Sequence, residues 1–481
     1  MKKLYLPLIA FILFFTNSYS QVGIGTTSPD PSAMLDIASN TKGFLAPRMT
    51  STERAAIATP ANGLLVYDTT ENTFYFYKAS GWTKLDSKIR NNYKLVKSAA
   101  DLGSELAAGG GSKYLLNTNT LYEINGTITL AHAVDLNNAY IMGLDTNEDK
   151  LVKSGGGNMF EGSTGGSIKG LTLSGGTIFN LTGSTGQNLV IRDLIVANAA
   201  SVGKIDGYGM VFLSIVQFIG NATGITYSNI DTLLLSNVGW FSNNSGTYET
   251  FTGTFGLIEK VSGFSAVSGS AVAIDVSSNP NVGTGVLQAT VFTGTTSAPS
   301  GYIKRYTTGS YSGFNFTNAW TVNAPGIPRE GDAEATGDIN LTAAVGAGAS
   351  TAFAGTGTTS RKKIEGTTTS NNLFRFRKDG NNKIIYEGNK TRYFQVAASV
   401  SYQSNAADMT LIVYIAKNGA VLAETKVYGK PSGGWFSNSG ILALPIIGTV
   451  QLKTDDYIEI WAERYEGTGN MQTVSLNLIA R

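Results

Sequence analysis

The sequence predicts an all-β fold: a parallel, right-handed β-helix, then an antiparallel β-sandwich of jelly-roll type, with a small β-rich module ahead of both. Three observations carry this. Over residues 122–294, short apolar runs recur about every twenty residues; Leu171, Leu194, Ile215, Leu235 and Ile258 mark one phase, at spacings of 23, 21, 20 and 23. A period of that length in β-type runs is the mark of stacked coils. The chain holds 57 glycines in 481 residues, about 12% against a usual ~7%, which suits a turn-rich β protein. Beyond residue 370, strands such as "YFQVAASVSY" and "DMTLIVYIAKNG" alternate with turns such as "KDGNN", the punctuation of a sandwich.

Charge and residue inventory exclude several classes of function. A net charge of +2 with no basic face gives no case for nucleic acid. The one basic cluster, residues 361–363, reads as solvated linker. There is no Cys and a single His, His132, so thiolate metal sites, cysteine nucleophiles and histidine-based triads fall away. No metal and no cofactor is expected.

The chain opens with "MKKLYLPLIAFILFFTNSYSQ". Lys2 and Lys3, an apolar run over residues 4–15, and Ser18 and Ser20 before Gln21 form a signal peptide at residues 1–20. The run is short of the ~20 residues that span a bilayer, although a retained anchor is the alternative. No membrane insertion is expected after its removal, and the expected location is outside the cytoplasm.

Residues 21–90 form the first module. Thr50 and Glu53 make a capping box for a short helix in "STERAAI", and "LLVY" and "FYFY" flank the turn "DTTENT" as a hairpin. The stretches "VGIGTTSPDPSAMLDI", "GFLAPRM" and "GLLVYDTTENTFYFY.ASGW", covering residues 22–85, resemble a module at the start of secreted surface proteins of Bacteroidetes-type bacteria and of phage-fibre-like proteins. That resemblance implies an attachment or collar module with no catalytic residue, at the extracellular surface of a Gram-negative bacterium, with virion association as the alternative.

Residues 91–325 are assigned to the β-helical shaft. "SAADLGSELAAGGGS" starts as a short helix and breaks at its glycines, forming a leading cap, and roughly ten rungs follow at ~4.8 Å each. β-Helices often carry carbohydrate chemistry, which calls for acids stacked in phase. Asp206 and Glu249 share a phase two rungs apart. They are either a catalytic pair of a polysaccharide depolymerase or, as favoured, two solvated surface acids. The Asn-x-Ser/Thr triplets, including those at Asn125, Asn180, Asn221 and Asn389, read as turns.

Residues 326–370, with "LTAAVGAGASTAFAGTGTTS", read as a Gly/Thr-rich linker or stalk, and residues 371–481 as the head. The order of "YFQVAASVSY", "LIVYIAKNG", "VQLKTDDYIEIWAE" and "VSLNLIA" resembles the jelly roll of tumour-necrosis-factor and complement globular heads. That resemblance implies a homotrimer, with Tyr457, Ile460 and Trp461 at the seam; their other reading is sandwich core. In "YGKPSGGWFSNSG", Tyr428, Trp435 and Phe436 are ligand-contact candidates, suited to stacking on a sugar or filling a protein pocket. The expected function is that of a secreted, non-enzymatic, fibre-like adhesin or receptor-binding protein, whose partners are itself and a cell-surface glycan or protein. The alternatives are a depolymerase and a purely structural surface component.

Overall fold

The computed structural model describes residues 21–85, 90–433 and 439–481; the expected signal peptide at residues 1–20 lies outside them. The chain forms two compact units, Met1–Asn91 and Asn92–Arg481. It is nearly all-β, with 51% strand and 6% helix. Among the described residues no helix is long and apolar enough to cross a membrane.

In the first unit the expected hairpin is present. Leu65–Asp68 pairs antiparallel with Thr73–Lys78, which pairs with Gly81–Lys84; Arg48–Met49 adds a parallel edge. The capping box of Thr50 and Glu53 starts the helix Ser51–Ala55. Asp68, fully buried, ties these pieces together. It accepts from Ser51 Oγ at 2.8 Å, Arg54 Nε at 2.8 Å and the amide of Thr70 at 2.9 Å. Burial raises its pKa, but these bonds and that from the Glu71 amide outweigh burial and hold it at about 2. Ahead of this sheet, among the described residues, lies the parallel pair Val22–Ile24 with Leu35–Ile37, all of it solvent-facing or nearly so.

The second unit begins as a parallel β-solenoid of about 11 turns, close to 50 Å long at ~4.8 Å per turn. Three inward ladders form its core. The first side stacks Tyr122, Ile141, Ile168, Ile191, Leu213, Leu235, Lys260, Leu287 and Val322. The second side stacks Ile128, Leu151, Leu173, Val196, Phe218, Trp240, Ser265 and Phe292. The third runs Tyr114, Val134, Phe160, Phe179, Gly203, Ile225, Glu249, Ile274 and Ile303. Each apolar rung covers the next, which is where the stability of stacked coils resides.

Through six successive turns, one left-handed residue makes the corner between the first and second sides. Gly170, Asp193, Ile215, Asn237, Ser262 and Ala289 occupy it with φ from 52° to 69°. The sequence phase therefore needs correction. Leu171 and Leu194 are core residues of the second side, whereas Ile215 is a corner residue, 48% exposed. Leu235 belongs to the first side. At the corner between the second and third sides, Asn221 and Asn244 stack: Asn244 Oδ1 accepts from the Asn221 amide at 2.7 Å, and Asn221 Oδ1 from the Ala199 amide at 3.0 Å. Asn221 is a turn residue, as expected, and buried.

The leading cap is the helix Gly103–Ala108, ended at Gly109. Its Glu105, 1% exposed, accepts from Lys94 Nζ at 2.6 Å and from Tyr122 hydroxyl at 2.9 Å, giving the first rungs a polar lid.

The head is an antiparallel sandwich. One sheet runs Leu373–Phe374, Thr336–Thr342, Met471–Ala480, Arg392–Ser404, Leu442–Leu452; the other runs Phe376–Lys378, Ile384–Tyr386, Tyr457–Glu466, Thr410–Lys417, Ala420–Val421. Residues 326–370 are thus no linker. Thr336–Thr342 pairs along its length with the last strand, and Ile339, Leu341, Phe353 and Ile364 enter the sandwich core. The cluster at residues 361–363 is not solvated linker either. Arg361 pairs with Glu463 at 2.8 Å, Lys363 with Glu459 at 3.3 Å, and Lys362–Lys363 adds an edge strand.

Candidate functional site

The sequence placed Asp206 and Glu249 in one phase, and the register separates them. Asp206 stands in the column Thr182, Asp206, Ser228, Thr252; Glu249 stands in the inward ladder through Ile225 and Gly203. Corners of unequal length cause the difference, because a fixed period drifts across them. Asp206 is partly exposed and held by Lys204 at 2.7 Å and Asn229 at 3.0 Å. Burial raises its pKa, but these partners outweigh it and the net shift is downward. Glu249 is no solvated acid: it is fully buried, with Lys260 Nζ 3.0 Å away and equally buried. Burial pushes the Glu249 carboxyl up against the pull of Lys260. Tyr248 stacks on Trp240 at 4.5 Å and lies 5.1 Å from Lys260 Nζ. Glu249 sits in a closed core, shut off from solvent.

On the head, Tyr428 is 48% exposed on the strand Val427–Gly429, with its ring 5.5 Å from that of Tyr465, itself 44% exposed. Register puts Tyr428 across from Ile412 on the outer face of the sheet. The pair offers two adjacent ring edges to solvent. Tyr465 was not singled out in the sequence, since its partner is 37 residues away. Trp435 and Phe436 lie outside the described residues.

The three seam candidates separate by strand alternation. Ile460 is fully buried inside the sandwich, its backbone bonded to Asn382, so it is core and not surface. Tyr457 and Trp461 point the other way and are half-buried; Lys383 Nζ lies 4.4 Å over the Tyr457 ring, and Trp461 Nε1 donates to Glu459 at 2.8 Å.

Where the last solenoid turns meet the head, a groove of about 610 Å³ opens between the strand Trp320–Asn323, residues 329–334, Arg375 and residues 389–392. Arg375, 2% exposed and with φ of 58°, donates to the carbonyls of Asn318 and Trp320, both at 2.6 Å, and so bolts the head to the final rung. Asp332 lies 3.6 Å from Arg375 and accepts from the Lys390 amide at 2.7 Å. Glu330, 1% exposed, accepts from the amides of Asn315 and Phe316 at 2.7 and 2.9 Å. No sequence signal marks this groove, because its residues come from five separate segments. Among the described residues no group of His, Cys, Asp and Glu is arranged to hold a metal ion.

A parallel β-solenoid followed by an antiparallel sandwich defines the class of architecture. Residues 23–99 match the family model described as the phage tail like trimerisation region. Comparison with curated proteins finds no match. Three similar solved structures are murine APRIL at pH 8.0, Geobacillus virus E2 ORF18, and the tailspike protein gp49 from Acinetobacter baumannii bacteriophage Fri1, a capsular polysaccharide depolymerase. APRIL is 12% identical with a TM-score of 0.21, over 30% of this chain and 99% of that one. ORF18 is 10% identical at 0.28, over 83% and 89%. The tailspike is 7% identical at 0.18, over 90% and 98%. TM-scores this low carry no argument about this chain.

Proposed function

We propose that the chain is a trimeric, fibre-like receptor-binding protein, extracellular or virion-associated, that presents its C-terminal sandwich to a cell-surface glycan or protein. One observation carries the reading. Val22, Ile24, Met34, Leu35, Ile37, Phe44 and Leu45 are between 37% and 72% exposed, within residues 22–45. So many large apolar side chains in one short stretch mark an interaction surface. All of these but Val22 fall inside the matched trimerisation region, so two further copies of the same segment are the fitting cover. Three linked heads would raise avidity without new contacts. The exposed pair Tyr428 and Tyr465 is the proposed contact on the head, and Tyr457 and Trp461 remain proposed for its threefold seam.

Sedimentation of the chain from residue 21 onward tests this. Three copies per particle are expected, and Phe44→Asp with Leu45→Asp should release single copies. A wild-type particle of one copy would sink the proposal. Incubation with capsular polysaccharide should show binding without release of fragments; fragments would favour the depolymerase.

A further inference from the structure

We propose that the groove between the last solenoid turn and the head binds a carboxylated saccharide. Its volume of about 610 Å³ lies within the roughly 300–1,000 Å³ of small-ligand pockets.

Charge sets the sign of the ligand. The lining carries Arg329, Arg375, Lys390 and Arg392 against Asp332 and Glu334, and Asp332 is already engaged by Arg375 and the Lys390 amide. Among the described residues Arg329, Lys390 and Arg392 make no ion pair. Two guanidinium nitrogens of the lining, Arg375 Nε and Arg392 Nη1, are buried with no hydrogen-bond partner. An unmet buried donor on a cation is costly, and a carboxylate is the acceptor that fits the Arg392 guanidinium in paired fashion, since both Nη atoms of Arg375 are already engaged.

The neutral lining sets the rest of the ligand. The side chains of Thr284, Asn323 and Thr391 are exposed and make no hydrogen bond among the described residues. They can donate to and accept from hydroxyls. No exposed aromatic face lines the groove: Trp320 is 2% exposed and its Nε1 donates to the Tyr306 hydroxyl at 3.1 Å. A nucleotide would find no exposed ring to stack its base on. A polyhydroxylated acid matches what remains.

The inference takes its biological sense from the receptor-binding reading, but the two fail separately, since one is read from binding and the other from particle mass. The probes are short oligosaccharides of galacturonate, glucuronate and sialate, their methyl esters, and a sulfated oligosaccharide of equal length. They are titrated calorimetrically into the full mature chain, with particle mass checked on the same samples. At least one free acid should bind, weaken as salt rises, and bind at least ten-fold more tightly than its ester. Arg329→Ala with Lys390→Ala, two exposed side chains whose loss spares the fold, should weaken binding ten-fold or more. Arg392→Lys should weaken it while keeping the charge, because the fork is lost. The proposal is overturned by no binding of any free acid, by equal binding of acid and ester, by binding of the sulfated probe alone, or by a double variant that binds as wild type.

Discussion

Replacing Lys260 with methionine tests the placement of the buried ion pair. Both side chains are 1% exposed and 3.0 Å apart, so Lys260→Met removes the one cation facing a carboxylate sealed among Trp240, Tyr248 and Ile225. Deleting one partner of such a pair costs about 3–5 kcal/mol, whereas replacing both with apolar groups is neutral or stabilises by about 1–4 kcal/mol. Urea unfolding of wild type, Lys260→Met, Glu249→Leu and the double variant measures the coupling. The pH dependence has a definite sign. Burial already raises the Glu249 pKa and Lys260 is what holds it down, so in Lys260→Met the folded-state pKa climbs further. The folded state then binds the proton more tightly than the unfolded one, and stability is highest below the unfolded pKa of about 4.3 and lost as pH rises. The penalty of Lys260→Met should shrink toward pH 4 and grow toward pH 8. A penalty under about 1 kcal/mol at neutral pH, or one that grows on acidification, would refute the inward placement of this pair.

Two other outcomes follow from local geometry. Ile215→Asn should stabilise the solenoid by about 1 kcal/mol, because a β-branched residue is strained at positive φ and Asn237 already fills the same corner one turn on; a midpoint no higher than that of Ile215→Ala would count against strain there. In the first unit, Asp68 has a pKa of about 2, below the ~3.9 of an unfolded chain. Its contribution to stability is present above pH 4 and lost as pH falls toward 2, so hydrogen exchange over residues 48–84 should accelerate across that window. Asp68→Asn should abolish the acceleration; an unchanged acid profile would remove Asp68 from the role of hub.

Much of the fold was legible because it is written in local pattern. The Thr50 and Glu53 box, the hairpin around "DTTENT", the glycine-broken cap helix and the coil period all depend on residues within a few positions of each other. What failed depends on phase or distance. Along the second side, successive ladder members are 22 apart from Phe218 to Trp240 but 27 apart from Ser265 to Phe292. A fixed count therefore moved Ile215 into the core and set Glu249 in the phase of Asp206. The segment "GDINLT" reads as linker by composition, while its partner strand lies more than 130 residues on. Lys260 was legible in hindsight: in "LIEKVSG" it occupies an inward position of an alternating strand. The junction groove had no linear trace, since Thr284, Arg329 and Arg392 meet only after both domains fold.

The single left-handed residue at one edge of the coil also decides where the molecule is able to change in length. An added residue between Arg192 and Leu194, or at the same place on any neighbouring turn, would invert the facing of the strand after it and expel a whole row of apolar side chains. The other two edges tolerate loops, as the eight residues between Trp240 and Glu249 demonstrate. Insertions and tags are therefore accommodated along those two edges, and along the third only outside the six turns from Gly170 to Ala289, as the loop between Tyr140–Met142 and Lys150–Gly162 shows.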